Sequence, residues 1–308
     1  MHHCGMDRAL PCQDDRSRRV GLGRRIAFRI RVLRADLANF FLLQYRGCDG
    51  FLITGKNSGT HWLKFMLSCA IAHQYGVPPP EHASGRDADA IIGHPRWPQV
   101  YAQLPRIGSS HSIPSIVFAW RLRLFAHPPV VVFVRDIRQA MLSNYVKWRE
   151  RYDVPFTEYL KGDPLGRRFV ADIWWYIHFF NRWGAVAQAW PETTLIVHYE
   201  DVQAAPGYWL RRIAQHLGVA LDDAAVAAAL PFVERTAVQA QLDPGYGETI
   251  IPEPDARARA AFSPEQAALC QAILQRHLRF TLGYDYRLPP ARSAAGPPPS
   301  WAPARLAR

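Results

Sequence analysis

Three short apolar runs limit what this 308-residue chain can become: FLIT at 51–54, VVVFV at 130–134 and TLIVHY at 194–199. A run such as VVVFV, with no alternation of polar and apolar positions, suits a strand buried on both faces of a parallel sheet. Helical patterning follows each run, over 59–75, 137–151 and 206–217, and a strongly apolar helix is expected over 169–190. Strands alternating with helices predict one α/β domain, a parallel sheet flanked by helices on both faces. In such a sheet the ligand lies at the carboxyl ends of the strands. Three of those ends are 54–59, Arg135 and Tyr199.

Punctuation supports these boundaries. Gly76 and Pro78-Pro79-Pro80 stop the first helix, Gly218 suits a left-handed cap, and Ser263-Pro264 with Glu265 and Gln266 opens a helix over 263–280. Residues 77–112 read as a long loop, a short helix is expected after Pro114, and 152–168 reads as a polar insertion. We expect a basic arm and helix over 1–49, a folded domain over 50–285 and a disordered Pro/Ala/Arg-rich tail over 286–308. No internal repeat is visible.

Location removes most of the meaning from the net charge of +11: residues 1–50 carry +5 and 286–308 carry +4, leaving +2 for 51–285. A nearly balanced body argues against a specific nucleic-acid partner. Five cysteines without regular spacing indicate neither a disulfide framework nor a zinc site, and a reducing, cytoplasmic setting is the simplest expectation. No metal is expected. No run is long and apolar enough for a membrane helix. Residues 24–45, basic and then apolar, can pack on the domain as a terminal helix, which is the preferred reading, or touch a membrane periphery.

The segment FLITGKNSGTHWLKFML (51–67) has the strand, glycine-bearing loop and helix of a phosphate-binding loop. It is not a Walker A loop: Gly55 and Gly59 are too close, and Thr60 stands where the lysine belongs. Gly55 and Gly59 permit backbone N–H groups to converge on an anion at a helix N-terminus, with Lys56, Ser58 and Thr60 beside it. The missing Lys-Ser pair makes a magnesium nucleotide a poor fit. Arg135, after VVVFV, and Ser143, eight residues on, form a second candidate anion site.

Together these segments resemble the sulfotransferases that use 3′-phosphoadenosine 5′-phosphosulfate (PAPS). Ser58-Gly59-Thr60-His61-Trp62 matches the family's K-S-G-T-T-W loop, Val134-Arg135-(x7)-Ser143 its 3′-phosphate motif, and Tyr199-Glu200-Asp201 the end of its third strand, over about residues 50 to 285. The resemblance implies a P-loop-like fold and in-line, metal-independent transfer of a sulfonate group from PAPS to a hydroxyl or amine. It also implies that Lys56, Asn57, Ser58, Gly59, Thr60 and His61 hold the 5′-phosphosulfate, Arg135 and Ser143 the 3′-phosphate, with Tyr199 near the nucleotide and Trp62 beside the adenine. Ser109-Ser110-His111-Ser112-Ile113-Pro114 carries the T/S-H-x-x-P context of the family's general base, so His111 takes that role, with Glu81, Asp87 or Asp89 in reserve.

Two departures stand out. Aligning Trp62 puts Asn57 in the catalytic lysine's place and Lys56 one position early; we expect Lys56 to reach the bridging oxygen. The late R-K-G nucleotide loop is not visible, and only Arg257 and Arg259 are at hand to replace it. Trp174, Trp175, Phe179, Phe180 and Trp183 are expected in the core, whereas His94 and Trp97 are the residues expected to touch the acceptor. That acceptor, a small molecule, glycan or lipid, is not legible in the sequence, nor is the oligomeric state. The rival readings are a catalytically impaired PAPS-binding protein and a magnesium-dependent P-loop kinase.

Overall fold

A computed structural model describes residues 47–83, 87–94, 98–114, 128–163, 165–242 and 262–287. Among these lie four strands, β1 (Gly50–Thr54), β2 (Ile107–Ser110), β3 (Val130–Val134) and β4 (Thr194–His198). They form one sheet in the order β2-β1-β3-β4, and every pairing is parallel. The expected three-stranded sheet thus gains an edge strand from within the predicted loop 77–112. IGSS was hidden because short, small and partly polar residues carry no strand signal. Gly108 is needed there: a Cβ would stand 2.7 Å from the Phe51 ring.

The sheet is covered on both faces, as expected. Phe51, Ile53, Val130, Val132 and Val134 point into one core with helices α3 (Ile137–Tyr152), α4 (Phe156–Lys161), α5 (Ile173–Ala189) and α10 (Pro264–His277). Leu52, Val131, Phe133 and Val197 point into the other, with α1 (Thr60–Tyr75), α7 (Pro206–His216) and α8 (Asp223–Ala229). Alternate strand residues therefore serve opposite faces, which is why the runs are apolar at every position. Trp183, Phe179 and Phe180 are buried core residues and Trp174 and Trp175 are half-buried against them.

Other differences are local. Helix α2 (Asp87–Ile92) also arises within the predicted loop, and α4 occupies the predicted polar insertion. The strand TLIVHY ends one residue early, so that Tyr199 opens the short helix α6 (Tyr199–Ala204). Helix α5 begins at Ile173 because Asp172 caps it, accepting from Trp175 N–H at 3.0 Å. Helix α10 has the expected capping box, Ser263 with Gln266. The further short helix α9 (Arg235–Ala240) was not foreseen. The short helix expected after Pro114, Trp97, Arg257 and Arg259, the segment 24–45 and the tail from Leu288 lie outside the described residues.

Candidate nucleotide and sulfonate site

Gly55, His111, Arg135 and Tyr199 are each the residue that follows a strand, so parallel pairing sets them in one row along the sheet's carboxyl edge. The row holds the residues that the sequence nominated from four separate segments.

The loop begins in register with the sheet, Gly55 N–H donating to Phe133 O at 2.8 Å. Ser58 folds back under Gly55 and is buried; a Cβ on Gly55 would meet Ser58 Oγ at 2.7 Å. Gly59 caps α1 with φ +86° and no side-chain acceptor, and its missing Cβ leaves room for the Tyr199 ring, which a methyl would approach to 2.9 Å. The first-turn N–H groups of α1 are thus left without a side-chain cap beside Thr60 and half-buried His61, the arrangement that suits an anion.

Arg135 Nη1 donates to Ser143 Oγ at 3.2 Å, and its guanidinium lies 4.6 Å from the centre of the Tyr199 ring. Its Nε is buried and has no acceptor among the described residues. A buried N–H without an acceptor is costly, and an anionic ligand or water is the usual remedy. Beside Tyr199, at 5.2 Å between ring centres, stands Trp62, whose indole N–H donates to Val233 O at 2.9 Å. Glu200 accepts from Tyr284 O–H at 2.7 Å and so fastens the chain near its C-terminus to this edge.

Thr54 organises His111, a role that the sequence did not suggest. His111 Nδ1 lies 2.7 Å from Thr54 O, and because a carbonyl only accepts, Nδ1 carries the proton and Nε2 offers a lone pair. Thr60 Oγ1 donates to Thr54 Oγ1 at 2.8 Å, joining this histidine to the first turn of α1. The His111 pKa is lowered to about 4, chiefly by desolvation and also by the Lys56, His61 and Lys64 charges, against the Thr54 bond, which raises it. The side chain keeps exposed surface, which softens the desolvation, but the direction stands and the imidazole is neutral at pH 7. Of the reserve bases, Asp89 is held in a buried ion pair with Lys64 and Asp87 accepts from His82 N–H at 3.1 Å. His94 is half-buried, with its carbonyl 3.4 Å from Arg106 Nη2.

Lys56 and Asn57 differ from the simple expectation. Lys56 Nζ donates to Val170 O at 2.7 Å and lies 5.0 Å from the Trp175 ring centre. Burial lowers its pKa, and the Asp172 carboxylate opposes that shift. Asn57 adopts φ +56° and accepts from Asn144 Nδ2 at 2.7 Å. No signal in the sequence pointed to Asn144 or Val170, which reach the loop only through tertiary packing.

Known proteins repeat this architecture. A sulfotransferase family model matches residues 118–223, which include Arg135, Ser143 and Tyr199. The fold is shared with a putative steroid sulphotransferase from Arabidopsis thaliana, at 15% identity and a TM-score of 0.50, over 82% of this chain and 82% of that one. It is also shared with retinol dehydratase in complex with retinol and PAP, at 15% identity and a TM-score of 0.52, over 82% of this chain and 88% of that one. No curated protein sequence matches the chain. This chain therefore shares its fold with sulfotransferases, and its residues 118–223 match the sulfotransferase family model.

Proposed function

We propose that the protein transfers a sulfonate group from PAPS to a hydroxyl or amine of a small-molecule, glycan or lipid acceptor. The observation that carries this reading is the row of strand-end residues, with an uncapped helix N-terminus at one place and the unsatisfied Arg135 Nε at another. Two such places on one sheet edge suit a nucleotide with two anionic groups. The loop residues Lys56 to His61 receive the 5′-phosphosulfate, and Arg135 with Ser143 receives the 3′-phosphate. Trp62 stands beside the adenine, and Tyr199, packed against Trp62, lies near the nucleotide. The PAP named for retinol dehydratase is the bisphosphate expected here as product.

His111 takes the acceptor proton at Nε2 while the acceptor atom bonds to sulfur and the bond from sulfur to the phosphate oxygen breaks. Thr54 O holds the tautomer that makes this possible. In the free protein desolvation, with the positive charges of Lys56 and Lys64, depresses the imidazole pKa, and an anionic donor beside those lysines opposes the charge part of that depression. Lys56, whose Nζ donates to Val170 O in the free protein, supplies the positive charge that stabilises the leaving oxygen in the transition state. The 3′,5′-adenosine bisphosphate is expected to raise the melting temperature well above the shifts given by ADP, AMP or ATP, without magnesium. Equal shifts for ADP and the bisphosphate, or a requirement for magnesium, would sink the assignment and favour the kinase.

One observation favours a second reading, a PAPS-binding protein with little turnover. Asn57 occupies the family lysine's place with its side chain engaged by Asn144, and Lys56 is engaged elsewhere. Incubation with labelled donor and a panel of acceptors separates the two: sulfonated product supports the enzyme, whereas bisphosphate binding without product supports the binder.

A further inference from the structure

Asn144 is fully buried on α3, next to Ser143, and belongs to none of the motifs that define the site. Tyr152 O–H donates to its Oδ1 at 2.7 Å, which turns its amide N–H toward the loop, where Nδ2 donates to Asn57 Oδ1. Tyr152 in turn accepts from Val170 N–H at 3.0 Å, and Val170 O is the acceptor for Lys56. A single line of hydrogen bonds thus fixes both Lys56 and Asn57. Asn57 needs such support, because φ +56° is a conformation that even asparagine adopts at a cost. An apolar side chain is the ordinary occupant of a site this deeply buried, and a buried amide is retained there only with its partners satisfied.

We propose that Asn144 is a positioning residue that ties the Asn57 turn of the 5′ anion loop to α3, the helix that carries Ser143 of the other subsite. Ser143 stands at the Arg135 guanidinium, while its neighbour Asn144 holds the Asn57 turn. The inference rests on reading the loop and the Arg135–Ser143 pair as the two phosphate subsites of one nucleotide. It assigns Asn144 no contact with the nucleotide.

Calorimetric titration with 5′-AMP, 3′-AMP and the 3′,5′-bisphosphate, together with hydrogen exchange of the 57–60 amides in the free protein, tests it. Asn144→Ser is expected to weaken 5′-AMP by about fivefold to tenfold, the value of one buried hydrogen bond. Affinity for 3′-AMP should stay within about twofold, and the loop amides should exchange faster. In an Asn57→Gly background, which tolerates the positive φ but lacks the acceptor, the same change should add less than about twofold. Asn144→Asp should restore slow exchange, since Asn57 can turn its own amide to donate. Equal losses for the two mononucleotides, additive effects in the double variant, or unchanged exchange would overturn the proposal. If Asn144→Ser does not fold, Asn57→Gly carries the exchange test from the other end of the bond. If the wild-type protein binds none of the three nucleotides, the reading of the subsites fails, while hydrogen exchange still decides whether Asn144 holds the loop.

Discussion

At the scale of single residues, the two anion subsites make different demands. Arg135 has a buried Nε without an acceptor among the described residues, so part of its worth should appear only with a ligand in place. Arg135→Ala is expected to weaken the bisphosphate by about 10- to 150-fold, from the roughly 1.5–3 kcal/mol of a charge-assisted contact, and to leave adenosine 5′-phosphosulfate little changed. Competition binding with both nucleotides checks this, and equal losses would make Arg135 structural. For His111, loss of the base should lower turnover by about 10²–10⁴-fold in His111→Ala while bisphosphate affinity stays near wild type. The depressed pKa has a sign that can be measured. An unfolded histidine takes its proton near 6.5, whereas the folded one, with desolvation the main cause, takes it at a lower pH, toward about 4. The His111 contribution to stability should therefore fall as pH drops through that window, and His111→Ala should remove the slope. Lys56→Ala should cut turnover more than bisphosphate affinity, because leaving-group charge develops in the transition state. A harmless Lys56→Ala, with Asn57→Lys raising turnover, would support the impaired reading.

Elements carry the site by their ends and by their close approaches. The row of Gly55, His111, Arg135 and Tyr199 exists because four parallel strands stop at one edge, and α1 starts where the Tyr199 ring can lie over Gly59. Helix α5 meets the segment after α10 with no room to spare: a Cβ on Gly184 would lie 2.3 Å from Phe280 Cβ. That contact lies at the root of the Phe280 side chain, so no rotamer relieves it. Gly184→Ala is expected to destabilise the fold by about 1–3 kcal/mol, the usual penalty of overpacking, with a lower urea midpoint as the readout. An unchanged midpoint would mean that the segment can move away from α5.

At the scale of the whole molecule, the segment 279–287 closes over the sheet edge and ties distant parts of the chain together. His198, the last residue of β4, places Nδ1 3.0 Å from Asp201 and Nε2 2.5 Å from Leu282 O, so both nitrogens face acceptors, an arrangement that favours the imidazolium. Burial opposes that charge, but Asp201, the Leu282 carbonyl and Glu200 outweigh it and raise the pKa. Tyr284 O–H donates to Glu200, and the Tyr286 hydroxyl oxygen accepts from Ile137 N–H. The sign is opposite to that for His111: this stabilisation is complete below the unfolded value near 6.5 and fades as pH rises through the higher folded pKa. His198→Gln should lower the melting temperature at pH 5.5 by ~2–6 °C and by less at pH 9. An equal drop at both pH values would show that the imidazolium contributes nothing.

Fold class was legible in the residues because an uninterrupted apolar strand has one common solution, a parallel sheet covered on both faces. The candidate anion residues were legible because glycines at a turn and an arginine after a strand have local meaning. Strand β2 was not, since Ile107–Ser110 is a strand only through its pairing with β1 and carries no apolar pattern of its own. Nor were the partners of Lys56 and Asn57, which come from Val170 and Asn144, each more than 80 residues away. Local sequence determines which side chains can bind an anion and which segments bury both faces. Which of those side chains is spoken for by a carbonyl or an amide depends on how helices pack across the sheet, and that was decided by the tertiary structure alone.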